Sequence, residues 1–410
     1  MKQIIRSLGC CLAAMLVLSA CHHDDEPEPQ TPPEKAVLMY MPWAGSNIYS
    51  YFLRNIADMR QTIIDTKGGG KSGVMVLIAD NDKRAHLIYL KYQKNDCVND
   101  TIATFTGLSG SSFYSVSGMT DLFNKAKASM PVSRYAIIMG CHGMGWLPID
   151  ALNDYAKPAF LPSAGGVWPL GNQEGTPVEG EILTRFFGDG SNADYNAEIA
   201  TLAEAIKNVF GRVDFVLFDD CHMMNIEVAY DLRNVTDYLI GSTCEVMIEG
   251  MPYSKTGRYL LSGDYEQVVS VYNDWYKAYR NPYATIGVTK TSEIETLADV
   301  MRQINATHEF VPDSIINVQK LDGFSPTVFY DMKSYVKRLC ADDVVLFNRF
   351  EQQLLKAVPY AACTDSYYSA RTRMAYPIRE FSGITISDPS WSYATRTKET
   401  TAWWKATHEE

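Results

Sequence analysis

Val213-Asp214-Phe215-Val216-Leu217-Phe218-Asp219-Asp220-Cys221-His222-Met223 is an almost continuous apolar run that ends in two carboxylates, a thiol and an imidazole. A run this short, rich in branched and aromatic residues and followed by polar ones, reads as a buried strand. A second run of the same kind, Tyr135-Ala136-Ile137-Ile138-Met139-Gly140, ends in Cys141-His142-Gly143-Met144-Gly145-Trp146. Each run delivers a reactive group at its carboxyl end, a thiol from one and an imidazole from the other. In an open parallel sheet that edge is where ligands bind. A cysteine and a histidine brought there suit a thiolate nucleophile and its proton acceptor.

Outward from these two runs the pattern alternates between strand and helix. Val37–Met41 and Gly73–Ala79 read as buried strands, and Arg84–Tyr92 alternates as a hairpin partner. Helical spacing covers Tyr51–Thr66, Leu122–Met130, Tyr195–Val209 and Met223–Arg233, and Tyr238–Ser242 is a further strand. Such alternation predicts an α/β sandwich with a mainly parallel central sheet. From about residue 260 the pattern turns helical, at Tyr265–Tyr279, Ile294–Ile304, Val328–Leu339 and Asp342–Val358, with short strands at Thr285–Val288 and Gly383–Ile386. The expected division is a catalytic domain over 36–258 and a helical and strand region over 259–410 packed on it. Leu147–Pro177 is rich in Pro, Gly and Asn and is long for a loop inside a compact domain, which marks it as functional or mobile.

The chain opens with material that does not belong to the fold. Met1–Arg6 is basic, Leu8–Ser19 is apolar but short for a membrane span, and Leu18-Ser19-Ala20-Cys21 follows. That order reads as a lipoprotein signal over 1–20, cut before Cys21, whose thiol takes the lipid. Residues 21–35 form an acidic, Pro-rich tether that cannot bury enough surface to fold. Acidic residues just after the lipidated cysteine resemble the export signal of surface lipoproteins of Bacteroidetes. The expected location is therefore the outer membrane, exposed at the cell surface and anchored through Cys21.

A net charge of −11 argues against nucleic acid as a partner, and 46% hydrophobic residues describe a well-cored globular protein. Nine cysteines fall to six once Cys10, Cys11 and Cys21 are set aside. Their irregular spacing includes no Cys-x-x-Cys pair, so neither a zinc knuckle nor a redox motif is expected, and no disulfide can be assigned. A His-Glu-x-x-His zinc motif, a Gly-x-Ser-x-Gly elbow and a phosphate loop are all missing.

Among the histidines past the tether, His86 falls in a hairpin, His308 follows a helix, and His222 points away from its neighbour Cys221. His142, between a buried strand and a glycine, is the one a turn can expose. Cys221 is expected near the N-terminus of the Met223 helix, where the macrodipole and free N–H groups lower a thiol pKa from about 8.5. Those N–H groups, with the backbone of Gly143, could hold an oxyanion. Strand alternation puts Asp219 on the face of Cys221, where its carboxylate can pair with a basic substrate side chain. Asp220 faces the other way and reads as structural.

Val37-Leu38-Met39-Tyr40-Met41 before a helix, His142-Gly143-Met144-Gly145-Trp146, and Asp219-x-Cys221-x-Met223-x-x-x-Glu227 together resemble the clostripain family of cysteine peptidases, in the clan of caspases and gingipains. The similarity extends through Leu239–Ser242, Gly250-Met251-Pro252-Tyr253 and Phe329–Met332, most of the mature chain. It implies a caspase-like αβα sandwich, a His142/Cys221 dyad, and Asp219 as the floor of a pocket for a P1 Arg or Lys. The expected activity is thus an endopeptidase acting on peptides and proteins at Arg or Lys through an acyl-enzyme. Ser242, Glu245 and Glu249 are expected to line the same pocket. The expected protein is a monomer without a cofactor, with any calcium requirement left open.

Two positions depart from the family pattern. Asp220 stands where a small residue is usual, and Cys141 where Asn, Asp or Ser is commoner. Members of the family commonly cut themselves in the loop after the histidine. Here Lys157 is followed by Pro158, and Arg185 is expected in a helix, so self-processing is expected to be inefficient or to need another protease. The alternative reading is a surface lipoprotein that keeps the peptidase fold as a binding module without turnover.

Overall fold

The computed structural model describes residues 32–42, 48–152, 175–179, 182, 185 and 197–408. The signal segment, Cys21 and Lys157 lie outside the described residues. The described residues from Pro33 onward gather into one compact unit.

Its frame is a nine-stranded sheet in the order β11-β9-β8-β7-β5-β1-β2-β3-β4. The centre is parallel: β2 (Ser72–Asn81), β1 (Lys35–Met41), β5 (Arg134–Met139), β7 (Val213–Phe218) and β8 (Thr236–Gly241). Antiparallel strands close both edges, β3 (Arg84–Gln93) and β4 (Asp96–Thr106) on one side, β9 (Thr285–Lys290) and β11 (Tyr360–Cys363) on the other. From beyond residue 258, β9 and β11 extend the sheet that begins at β1.

The central strands are apolar throughout because both of their faces are covered. Along β1 the pleat sends Leu38 and Tyr40 to one core and Val37, Met39 and Met41 to the other. The first core is closed by α2 (Val116–Ser129), α3 (Ile199–Phe210) and α4 (Ile226–Leu232), with α7 (Ile294–Asn305), α8 (Met332–Leu339) and α9 (Val344–Ala357) continuing the layer. The second is closed by α1 (Tyr49–Asp65), α5 (Tyr253–Ser262) and α6 (Tyr265–Ala278). In α1 the residues Phe52, Ile56, Met59 and Ile63 make the buried stripe that the helical period requires.

Smaller sheets complete the unit. β10 (Tyr330–Asp331) pairs with β14 (Thr385–Ile386), and a hairpin of β12 (Ser366–Ser369) and β13 (Met374–Pro377) takes β6 (Thr176–Pro177) on its outer edge. The expected helix over Val328–Leu339 is shorter by four residues at its start, because Tyr330 and Asp331 are drawn into the pairing with β14. Among the described residues no helix is long and apolar enough to cross a membrane.

Candidate active site

Register decides where the reactive groups meet. Met139 is level with Phe218 in the β5–β7 pair, and Asp219 N donates to the Met139 carbonyl at 2.9 Å. Gly140-Cys141-His142 and Asp219-Asp220-Cys221 therefore leave the sheet side by side. The Asp220 carboxylate ties the two ends, accepting from Cys141 N at 2.6 Å and from Cys141 Sγ at 3.2 Å. Burial pushes the pKa of Asp220 up to about 7. Gly143 packs so closely on the end of the Cys221 strand that a Cβ would lie 2.4 Å from the Cys221 carbonyl oxygen.

Arg185 lies in a bend, not in the expected helix, and its side chain is fully buried. Its Nη1 is 2.8 Å from Asp219 Oδ2 and also donates to the Asp219 carbonyl at 2.8 Å. Nη2 donates to Asn55 Oδ1 at 2.6 Å and to the Glu249 carbonyl at 3.1 Å, and Nε donates to the Ile248 carbonyl at 3.3 Å. All three nitrogens of the guanidinium are engaged, which suits the planar five-donor fork of arginine better than a lysine ammonium. The Asp219 carboxylate is itself held, accepting from Met251 N and from the Tyr253 hydroxyl, each at 2.9 Å. Gly250 stands at φ +69°, and a Cβ there would sit 2.1 Å from Arg185 Nη2. That wall has to be bare.

The main chain of Arg185 is gripped at both ends. Its N–H donates to the Val246 carbonyl at 2.8 Å, and its carbonyl lies 2.6 Å from His142 Nδ1. A carbonyl only accepts, so Nδ1 carries the proton. Val246 also gives its own N–H to Cys221 Sγ at 3.2 Å. One residue thus touches both the thiol and the arginine backbone. Three positions upstream, Ile182 is buried in the core that holds Phe52, Met247 and Ile248.

Electrostatics keep this closed site neutral. Burial, assisted by the charges of Glu245 and Asp220, raises the Cys221 thiol well above its ordinary value. Burial lowers His142 to about 4, with the Arg185 charge acting in the same direction. No thiolate–imidazolium pair is stored here. The expected support from a helix N-terminus is also missing. α4 starts at Ile226, where Asn225 caps it by accepting from Val228 N at 3.3 Å, and Cys221 lies in the turn before it, next to His222 at φ +56°. A macrodipole acts within about one turn, so Val246 N, not the helix, is the donor to sulfur.

The other expected residues are placed differently. Ser242 spends its hydroxyl on the Cys244 carbonyl and Thr285. Glu245 accepts from Ser369 Oγ at 2.8 Å and from Ala370 N, fastening the β12–β13 turn. Glu249 offers Arg185 its carbonyl, while its carboxylate accepts from the Tyr279 hydroxyl. Among the described residues, none of these three brings a side-chain group to the guanidinium. The groups that do, Asn55 and the carbonyls of Ile248 and Glu249, carried no sequence signal. His222 stacks on Phe329, His86 meets Asp80 and Thr104, and His308 lies 3.5 Å from Asp342. All six cysteines past the tether are free thiols. Among the described residues no group of three or more His, Cys, Asp or Glu could hold a metal ion.

This chain is similar to known peptidases in sequence and in shape. A sequence model described as the clostripain family matches residues 177–361. A secreted C11 cysteine protease of Bacteroides thetaiotaomicron, iotapain, is 37% identical over 92% of this chain and 100% of its own, with a TM-score of 0.81. A clostripain of the same species, solved with the peptide inhibitor BTN-VLTK-AOMK, is 46% identical over 55% of this chain and 100% of its own, with a TM-score of 0.53. An inactive zymogen C11 protease of Parabacteroides distasonis, 22% identical over 93% of this chain and 99% of its own, shares the fold with a TM-score of 0.73. No curated protein sequence matches the chain.

Proposed function

The chain belongs to the clostripain family of cysteine peptidases, and from that premise we propose that it cuts polypeptides after arginine, with Cys221 and His142 as its catalytic pair. The observation that carries this reading is Arg185, whose guanidinium is bound by Asp219 while its carbonyl meets His142. Cys221 sulfur attacks that carbonyl carbon, the Nδ1–H of His142 polarises its oxygen, and the backbone at Gly143 lies beside the developing oxyanion. The bond to the next nitrogen breaks, the proton lost by the thiol ends on the departing amine, and water then releases the acyl group as a carboxylate. Arginine is preferred over lysine because the pocket offers acceptors to all three guanidinium nitrogens.

On this reading the first substrate is the chain itself, at Arg185–Phe186. In sequence the residues before the cut are Ile182-Leu183-Thr184-Arg185. The inhibitor held by the related clostripain presents Val-Leu-Thr-Lys, the same order of branched aliphatic, leucine, threonine and base. Residues 186–410 make up 55% of the chain, the share that this relative covers. Until the cut, Arg185 fills the pocket and other substrates are kept out.

The test is a fluorogenic panel with P1 Arg, Lys, Asp and Ala on the wild type and on Cys221→Ala. Arg turned over fastest, and only by the wild type, is the expected result. Equal signals from both proteins would sink the proposal, and a preference for Asp or Ala would remove Asp219 from its role. We place the enzyme at the cell surface, anchored through Cys21, on the order of its signal features and on the related protease described as secreted. Labelling with radioactive palmitate checks this: wild type should incorporate label and Cys21→Ala should not.

A further inference from the structure

Beside His142, on the face of the sheet opposite the Arg185 pocket, lies a cavity of about 100 Å³ that the chemistry above does not use. Its walls are mostly apolar and rich in methionine, with Met119, Met139, Met144, Leu202, Phe218 and Met223, while Tyr40, Tyr114, Cys141 and Glu198 add polar groups and His142 and Gly143 join the lining. Methionine side chains adapt to the shape of what they hold, and they take aromatic rings well. One water needs only ~10–15 Å³, and apolar cavities of this order accept a benzene-sized ring. The cavity therefore has room for more than a single water.

The path of the chain says which part of a substrate arrives there. Arg185 enters from the side of Val246, to which its N–H is bonded, and leaves at His142, where its carbonyl lies. The residue after the cut starts at His142. His142, at which the Arg185 carbonyl lies, shares the cavity wall with Ala197, Glu198 and Ile199. In sequence, Arg185 is followed by Phe186-Phe187. An acid would be poorly placed, because the Glu198 carboxylate already stands in the wall, accepting from Ile149 N at 2.9 Å.

From this placement we infer that the cavity is the leaving-side specificity pocket of the enzyme, and that it selects a large apolar residue, phenylalanine above all, immediately after the scissile bond. The inference rests on the proposed cleavage after arginine and adds a second requirement to it. The preferred sites are Arg–Phe and similar bonds, and a basic residue followed by an acid is a poor one.

Two measurements separate this inference from the reading beneath it. Internally quenched peptides Ile-Leu-Thr-Arg-Xaa, with Xaa Phe, Leu, Ala or Asp, are compared by kcat/KM on the wild-type enzyme. The same peptides are titrated into the Arg185→Ala/Cys221→Ala protein, whose pocket is open and which cannot turn them over. Phe is expected to exceed Ala by at least tenfold in both, and Asp to fall below Ala. Ile199→Trp, which fills the cavity from the first turn of α3, should bring the Phe-to-Ala ratio to about one. Cleavage of all four peptides within twofold of each other would overturn the inference while leaving the arginine reading intact. No cleavage of any peptide, with Phe still bound best, would overturn the arginine cleavage and keep the pocket. Equal binding of Phe and Ala peptides removes the pocket.

Discussion

Arg185 and Asp219 form an ion pair from which water is excluded: Nη1 lies 2.8 Å from Oδ2, and the side chains are 0% and 3% exposed. Removing one partner from such a pair leaves a buried charge alone, at a cost of about 3–5 kcal/mol. In a Cys221→Ala background, Asp219→Asn should therefore lower stability by about that amount. The same change made together with Arg185→Ala should cost far less, because no bare guanidinium remains. Denaturant midpoints of the four proteins give the coupling directly. A coupling near zero would show that the pair is not formed in solution.

On the proposed cleavage after arginine, Asn55 is the group that favours a guanidinium fork over a point charge. Its side-chain oxygen takes Nη2 of Arg185, and its amide is fixed on the Glu249 and Met251 carbonyls. A buried hydrogen bond to a charged group contributes about 1.5–3 kcal/mol, so Asn55→Ala should cost roughly tenfold or more in kcat/KM with P1 Arg. Loss with P1 Lys should be smaller, and the Arg-to-Lys ratio is the quantity to measure.

Gly143→Ala should abolish turnover, with kcat down at least about a hundredfold. The new methyl would meet the Cys221 carbonyl at 2.4 Å and the Met223 side chain at 2.7 Å. The first of these is backbone and cannot swing aside, so the turn carrying His142 has to move. Single-turnover rates with saturating substrate check this, and a rate within threefold of wild type would contradict it.

Glu227 sets a pH dependence of stability. It is buried, one carboxylate oxygen accepts from Ser387 N at 2.8 Å, and the other has no partner. Burial first, then the charge of Asp388, raises its pKa to about 8 from an ordinary 4.5. A raised acid binds its proton more tightly when folded, so the folded state is favoured below pH 4.5 and loses that advantage as pH rises towards 8. Glu227→Gln, which stays neutral, should be more stable than wild type at pH 9 by a few kcal/mol, on the order of 2–4. The gap should shrink steadily down to pH 5. Thermal midpoints across that range decide it.

Much of this was legible in the chain. Apolar runs gave the five parallel strands because each is buried on both faces, and the same runs put His142 and Cys221 at one edge. The start of α4 was not legible. Met223–Arg233 has helical spacing, but the cap at Asn225 and the left-handed His222 belong to a turn that packing imposes. The pocket was half readable: Asp219 announces itself, whereas Ile248, Glu249 and Val246 act through their backbones, for which side-chain identity is silent. Arg185 is expected in a helix, whereas its place in the site depends on the carboxylate of Asp219, far away in sequence. Short strands such as β11 and β12, four residues each, leave too little pattern to read beside long helices.

The order of the nine-stranded sheet gives the proposed cut after Arg185 a further consequence. Every strand before Arg185 in that sheet, β1 to β5, lies to one side of the β5–β7 junction, and every strand after it lies to the other. A break at Arg185 therefore turns one polypeptide into two interlocked subunits whose seam runs through the middle of the sheet. The imidazole belongs to one subunit and the thiol to the other. With the proposed dyad split in this way, catalysis would depend on a noncovalent assembly that was folded as a single chain, and halves pulled apart by denaturant would have to find each other by diffusion.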